Sequence, residues 1–250
     1  VEDAALILDV VGQPDRKKSS PIKRHKIKFS EKLNSGHDLS GFRIGIPKGF
    51  FFENVDDEIL KATHKVIKYL ETKGGCLCDV TVPNMDHTRT VSLTIQMPEA
   101  LSFHMPWLKD RSTAYSSDFL AGLALGQNIL AEHYVKCKRM LTNYRDSVDQ
   151  LFEDVDVIIT PSTPIISPKL NCVNITTKGL TEPVGNAVTR FTSFFNMTGH
   201  PAITIPSGLH SKGLPMGVQL IGPQFGELSL LTLGKLIEEN QDFNIQKPSI

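Results

Sequence analysis

No apolar run in this 250-residue chain reaches the roughly 20 residues that a membrane-spanning helix needs. A helical membrane span is therefore not expected. An excess of charge is missing too: Lys+Arg and Asp+Glu both number 27. That balance gives no reason to expect nucleic acid or an anionic membrane as a partner. Cysteine is scarce, with Cys76, Cys78, Cys137 and Cys172 alone. No second Cys or His pair stands at zinc-ligand spacing. Buried or incidental thiols are expected, not a disulfide framework, and no metal or other cofactor is called for. The chain lacks a basic-then-apolar leader, starting in a helix-like pattern with Glu2 and Asp3, so the expected location is cytoplasmic. No internal repeat or low-complexity tract is present.

What remains is ordinary globular composition, 40% hydrophobic and 22% charged, enough to bury a sizeable core. Residues 2–11 read as a short helix. Residues 12–40 read as a surface loop, with seven Lys/Arg and no acid from Arg16 to Lys28. That basic stretch has two readings, a polyanion-binding or nuclear-localisation patch and a solvated loop. Phe42 to Pro47 reads as a strand and Asp56 to Lys73 as an amphipathic helix, with Ile59, Ala62, Val66, Ile67 and Leu70 on one face. Gly74-Gly75 supplies a left-handed stop. Cys76 to Val82 reads as a second strand, ended by Pro83 and parallel to the first. Residues 85–154 read as mostly helical, with Pro98 and Pro106 interrupting the pattern. Val155 to Thr160 reads as a buried strand, 161–186 as loop and 187–198 as a helix ended by Gly199. Two strands follow, Pro201 to Pro206 and Met216 to Gly222, then a closing helix from Glu227 to Glu239. The alternation predicts an α/β fold, a layered mixed sheet flanked by helices.

Five blocks, in order, carry a resemblance. They are Val1–Val11, Phe42-Arg-Ile-Gly-Ile-Pro-Lys-Gly-Phe50, Asp156-Val-Ile-Ile-Thr-Pro-Ser-Thr-Pro164, Arg190–Gly208 and Gly213-Leu-Pro-Met-Gly-Val-Gln-Leu-Ile-Gly222. Together they resemble the amidase-signature enzymes, serine hydrolases that cleave amide C–N bonds, and they span nearly the whole chain. The resemblance implies that residues 1–250 form the C-terminal portion of one incomplete amidase domain. In that family a serine attacks the amide carbonyl, and a second serine, on a cis peptide bond, passes the proton to a lysine. Backbone N–H groups of a glycine-rich loop hold the oxyanion, and water then releases the acid from an acyl-enzyme. This chain has no Gly-Gly-Ser-Ser stretch, so no catalytic residue is assigned within it and it is expected to be inactive alone.

By the same resemblance the residues present line and support a pocket for a small amide. Thr160 and Thr163 stand at a strand end, where α/β sheets commonly place ligands. Phe191, Phe194 and Phe195 fit either the wall of an acyl pocket or plain core packing. Phe→Ala in a core costs roughly 3–5 kcal/mol, whereas a pocket wall would instead shift substrate preference. Ser207 lies outside a Gly-x-Ser-x-Gly elbow, His200 reads as a turn residue, and Glu99 and His104 are poorly spaced for a shared helix face.

One branch of the family supplies the A component of the tRNA-dependent amidotransferase. It grips glutamine with an Arg and an Asp that align here on Leu141 and Thr189, neither of which pairs with a charged head group. The resemblance thus favours a general amidase. The alternatives are a fragment of that amidotransferase component and a non-catalytic scaffold or partner-binding protein. The partners the resemblance implies are a small-molecule amide substrate in the complete enzyme and either a second copy of the chain or a complementing N-terminal half.

Overall fold

The computed structural model describes residues 1–12, 27–33, 38–82, 85–240 and 242–243. The elements run α1 (Glu2–Val11), α2 (Phe29–Lys32), β1 (Arg43–Pro47), α3 (Asp57–Thr72), β2 (Cys76–Val80), α4 (Thr88–Arg111), α5 (Ser117–Gly126), α6 (Ala131–Asp154) and β3 (Val157–Pro161). They continue β4 (Asn174–Thr177), β5 (Leu180–Pro183), α7 (Val184–Thr189), α8 (Thr192–Thr198), β6 (Ala202–Leu209), β7 (Pro215–Ile221) and α9 (Glu227–Glu238).

Five strands form one mixed sheet in the order β2-β1-β3-β7-β6. β1 lies parallel to both β2 and β3, as a strand–helix–strand crossover requires. β7 runs antiparallel to β3 and to β6. β3 is buried along its whole length, which is why its sequence is a near-continuous apolar run.

The sheet separates two apolar layers. Period-two alternation sends Ile158 and Ile221 to one side, with Phe191, Phe194, Tyr144 and Val148. Val157, Ile159, Val218 and Leu220 go to the other, with Val66 and Leu70 of α3 and Leu230, Leu233 and Ile237 of α9. α3 is set locally: Asp56 caps it by accepting the Glu58 N–H at 2.8 Å. Gly74, at φ 97°, then turns the chain out of the helix. At the head of β1, Asp156 accepts the Arg43 backbone N–H at 2.7 Å and meets its guanidinium at 3.0 Å. That pair ties β1 to β3.

Two expectations are corrected. α4 continues through Pro98 and Pro106 as one helix, although each proline removes a backbone donor. Packing holds it: α5 closes on α4 so tightly that a Cβ on Gly126 would lie 2.6 Å from the Met97 carbonyl oxygen. Residues 161–186 are not all loop, because β4 and β5 form an antiparallel hairpin with Thr176 opposite Thr181. Its turn residues Lys178 and Gly179 have φ 51° and 85°, the left-handed pair that suits a two-residue hairpin. The basic stretch from Arg16 to Lys26 lies outside the described residues, as does Pro83. Within 12–40, α2 is held where Asp9 accepts the Ser30 N–H at 3.2 Å.

Among the described residues no helix is long and apolar enough to cross a membrane.

Candidate functional site

Thr160 is fully buried in β3, opposite Gln219 of β7, whose side-chain amide donates to the Thr160 hydroxyl at 3.2 Å. Thr163 is half-buried beyond the strand end and donates to the Ile165 carbonyl at 2.8 Å. Phe191 and Phe194 lie elsewhere, in an aromatic cluster around Phe51. Ring centroids are 5.6 Å apart for Phe51–Phe191, 6.5 Å for Phe51–Phe194 and 5.2 Å for Phe194–Phe195. Phe191 and Phe194 are 0% and 1% exposed. The fold thus brings Phe191 and Phe194 together around Phe51 and leaves Thr160 in the sheet and Thr163 just past its β3 end.

The other face of the same helix opens on a cavity. In α8, Phe194, Phe195 and Thr198 point inward, while Thr192, Ser193, Asn196 and Met197 line a cavity of about 560 Å³. That volume is in the range of small-molecule sites. α4 contributes Arg89, Ser92, Ile95, Gln96, Glu99 and Ala100, at helical spacing along one face. α6 contributes Lys138, Leu141 and Arg145, and Thr189 comes from the end of α7. Thr160, Thr163, Phe191 and Phe194 are not among its lining residues. Leu141 and Thr189, the two positions aligned with the glutamine grip, both are.

The charge here is unusual. Arg89 Nη1 donates to the Thr189 hydroxyl at 3.1 Å, and that hydroxyl donates to the Gly185 carbonyl at 2.7 Å. Arg89 Nε is buried with no hydrogen-bond partner among the described residues. Burial lowers the Arg89 pKa, because a low-dielectric site disfavours the charged form. Arg145 Nε donates to the Thr198 carbonyl at 2.9 Å. Glu99, the acid of the lining, accepts from the Tyr134 hydroxyl at 2.7 Å and stands 3.6 Å from Lys138 Nζ. The Glu99 hydrogen bond raises the Tyr134 pKa, with burial adding to it. The apolar floor is Ile95, Leu141 and Met197.

His200 stands in the turn between α8 and β6, and its ring is held there. Its ring bridges the Thr198 hydroxyl and Asp149, each at 3.0 Å, and burial lowers its pKa. Ser207 is buried and its hydroxyl has no partner among the described residues. Ser211 bonds Glu58 at 2.6 Å and approaches His210 Nδ1 at 3.4 Å, but that nitrogen already accepts the Lys212 N–H at 3.0 Å. The imidazole is therefore not free to act as a base toward Ser211. All four cysteines are free thiols, and only Cys137 is buried. Among the described residues no group of His, Cys, Asp and Glu could hold a metal ion.

A mixed sheet between helical layers, with a cavity walled by helices on one side, defines a layered α/β scaffold, and among the described residues no serine lining that cavity is paired with a base. The sequence profile of the Amidase family matches residues 1–231, and the chain belongs to that family. An amidase of Pseudomonas putida is 31% identical over 251 residues, covering all of this chain and 53% of that protein. The A component of the glutamyl-tRNA(Gln) amidotransferase of Halothermothrix orenii is 26% identical over 275 residues, covering all of this chain and 56% of that protein. A solved structure described as a vestigial protein complex revealing the origins of an s-triazine catabolic enzyme superimposes with a TM-score of 0.86. It is 25% identical and covers 98% of this chain and 53% of its own. The chain spans about half the length of the curated relatives it matches.

Proposed function

We propose that this chain is the substrate-facing portion of an amide hydrolase whose Ser–cis-Ser–Lys machinery is supplied by residues outside it. The observation that carries the reading is the cavity between α4, α6 and α8: shaped and polar, yet lined by no serine paired with a base. Ser92 and Ser193 line it, and neither hydroxyl has a lysine or histidine partner among the described hydrogen bonds. Without such a partner a serine hydroxyl is a weak nucleophile at neutral pH. Phe191 and Phe194 then serve the site from behind, fixing α8 so that its polar face keeps one position, and Thr160 and Thr163 shape the adjoining strand end.

Support for a complementing portion comes from the far edge of the sheet. β6 pairs only with β7 among the described strands. Beside it α1 leaves Ile7, Val10 and Val11 63%, 74% and 69% exposed. Ala4, Ile7, Leu8, Ala202, Ile203 and Leu230 line a groove there. An open edge next to exposed apolar side chains favours strand or helix addition. The amidotransferase reading has less support, since Leu141 and Thr189 are both uncharged where a charged head group would need partners.

The test is turnover. The purified chain is assayed on a panel of small carboxamides, alone and after fusion to the part of the Pseudomonas putida amidase that this chain does not cover. Activity only in the fusion is expected. Hydrolysis of any carboxamide by the chain alone, free of contaminants, would overturn the proposal.

A further inference from the structure

The hydrolase reading leaves the charge of the substrate open, and the cavity bears on it. Among the described residues four arginines are half-buried: Arg43, Arg89, Arg145 and Arg190. Two are neutralised within the protein, Arg43 by Asp156 and Arg190 by Glu182. The other two, Arg89 and Arg145, line the cavity. Among the described residues neither forms an ion pair, and their hydrogen bonds go to a hydroxyl and a carbonyl, both neutral. A guanidinium carries five N–H donors, and each of these two commits one to the protein. Holding such a charge partly out of water without a counter-ion is unfavourable. The third cation, Lys138, faces Glu99, which also accepts from Tyr134. The lining therefore has a surplus of positive charge that the fold does not balance, set beside the apolar floor of Ile95, Leu141 and Met197.

Resting on the hydrolase reading above, we infer that this cavity takes a small aliphatic amide bearing a carboxylate, with Arg89 and Arg145 as its anion-binding side chains. The chemistry fits on three counts. A carboxylate supplies acceptors for donors the protein leaves unused. A short aliphatic chain covers the apolar floor. The neutral amide end needs only hydrogen bonds, which Ser92, Gln96, Ser193 and Asn196 can make. The lining acid, Glu99, is already met by Tyr134 and Lys138, and Leu141 and Thr189 carry no charge for the α-ammonium of an amino acid, so the expected ligand is a carboxylate amide without one.

The experiment is calorimetric titration of the chain with succinamate, its neutral counterpart succinamide, succinate and inorganic phosphate. Succinamate and succinate should bind competitively, and their affinity should fall as salt is raised. Arg89→Gln and Arg145→Gln, each checked for an unchanged melting transition, should each weaken succinamate at least tenfold. The inference is overturned if succinamide binds within twofold of succinamate. It is equally overturned if phosphate binds while the carboxylates do not, if succinamate fails to saturate, or if a folded variant of either arginine binds it unchanged. The fused enzyme separates the two ideas. Carboxylate binding without turnover sinks the hydrolase reading alone, and turnover indifferent to the carboxylate sinks the charge inference alone.

Discussion

The aromatic cluster and the helical cavity share one short helix and follow opposite rules. Around Phe51, the rings of Phe191, Phe194 and Phe195 are sealed from water and carry no charge, with the Tyr144 hydroxyl as the polar atom at their margin. In the cavity that the outward face of α8 lines, Arg89 of α4 and Arg145 of α6 have no carboxylate partner among the described residues, and Arg89 Nε is buried without a hydrogen bond. The first arrangement maximises stability. The second sacrifices some of it, which a fold retains where a ligand completes the set. The difference separates two kinds of arginine among the described residues, those balanced by a carboxylate and those facing the cavity without one, and it is the second kind on which the proposed site rests.

That comparison can be broken in three places. The largest effect is expected from Phe194→Ala. If the cluster is core, it loses about 3–5 kcal/mol, read as a lowered denaturant midpoint. A loss under about 1 kcal/mol with altered ligand binding would move Phe194 into the pocket wall.

A smaller effect belongs to Asp156→Asn. Hydrogen bonding from Arg43 holds the Asp156 carboxyl below the usual carboxylate range. A depressed folded-state pKa means the pair stabilises above the unfolded carboxyl pKa of about 3.9 and that stability is lost as pH falls through the folded value. The side chains are 39% and 35% exposed, so screening limits the contribution to about 1 kcal/mol. Denaturant midpoints of wild type and variant should differ at neutral pH and converge in acid. Parallel curves at all pH values would mean that Asp156 does not act through its charge.

The smallest effect sharpens the contrast most. Arg89→Met should leave stability within about 0.5 kcal/mol of wild type, or raise it, because removing an unbalanced charge relieves a penalty. Arg43→Met should lower it. If the two variants lose stability equally, the cavity arginines are structural and the contrast between the regions fails.

Much of the scaffold was legible in the residues, for local reasons. Asp56 and Gly74 bracket α3, and Gly199 takes φ 81° where α8 ends. The parallel pairing of β1 and β2 followed from the helix between them. The hairpin of β4 and β5 escaped notice because proline, serine and threonine dominate its surroundings. The Lys178-Gly179 turn between alternating residues was the signal that marked it. α4 running through two prolines was not readable, since the compensation lies in α5, a different segment. The cavity itself was not readable: Thr160, Thr163, Phe191 and Phe194 lie outside its lining, while Leu141 and Thr189, singled out only as positions lacking charge, fall within it. Arg89 and Arg145 were missed, because nothing in their spacing shows that two helices turn them toward the same space. The phenylalanines drew attention to α8, but to its apolar side.

That α8 is anchored by one face and reads the cavity with the other has a practical corollary. Ser193 and Asn196 lie on the cavity side and outside the buried set of α8, so exchanging them is expected to leave the rings beneath in place. If the proposed cavity is the binding site, diversity introduced there is expected to alter ligand selectivity while the melting transition stays unchanged, a starting point for directed evolution.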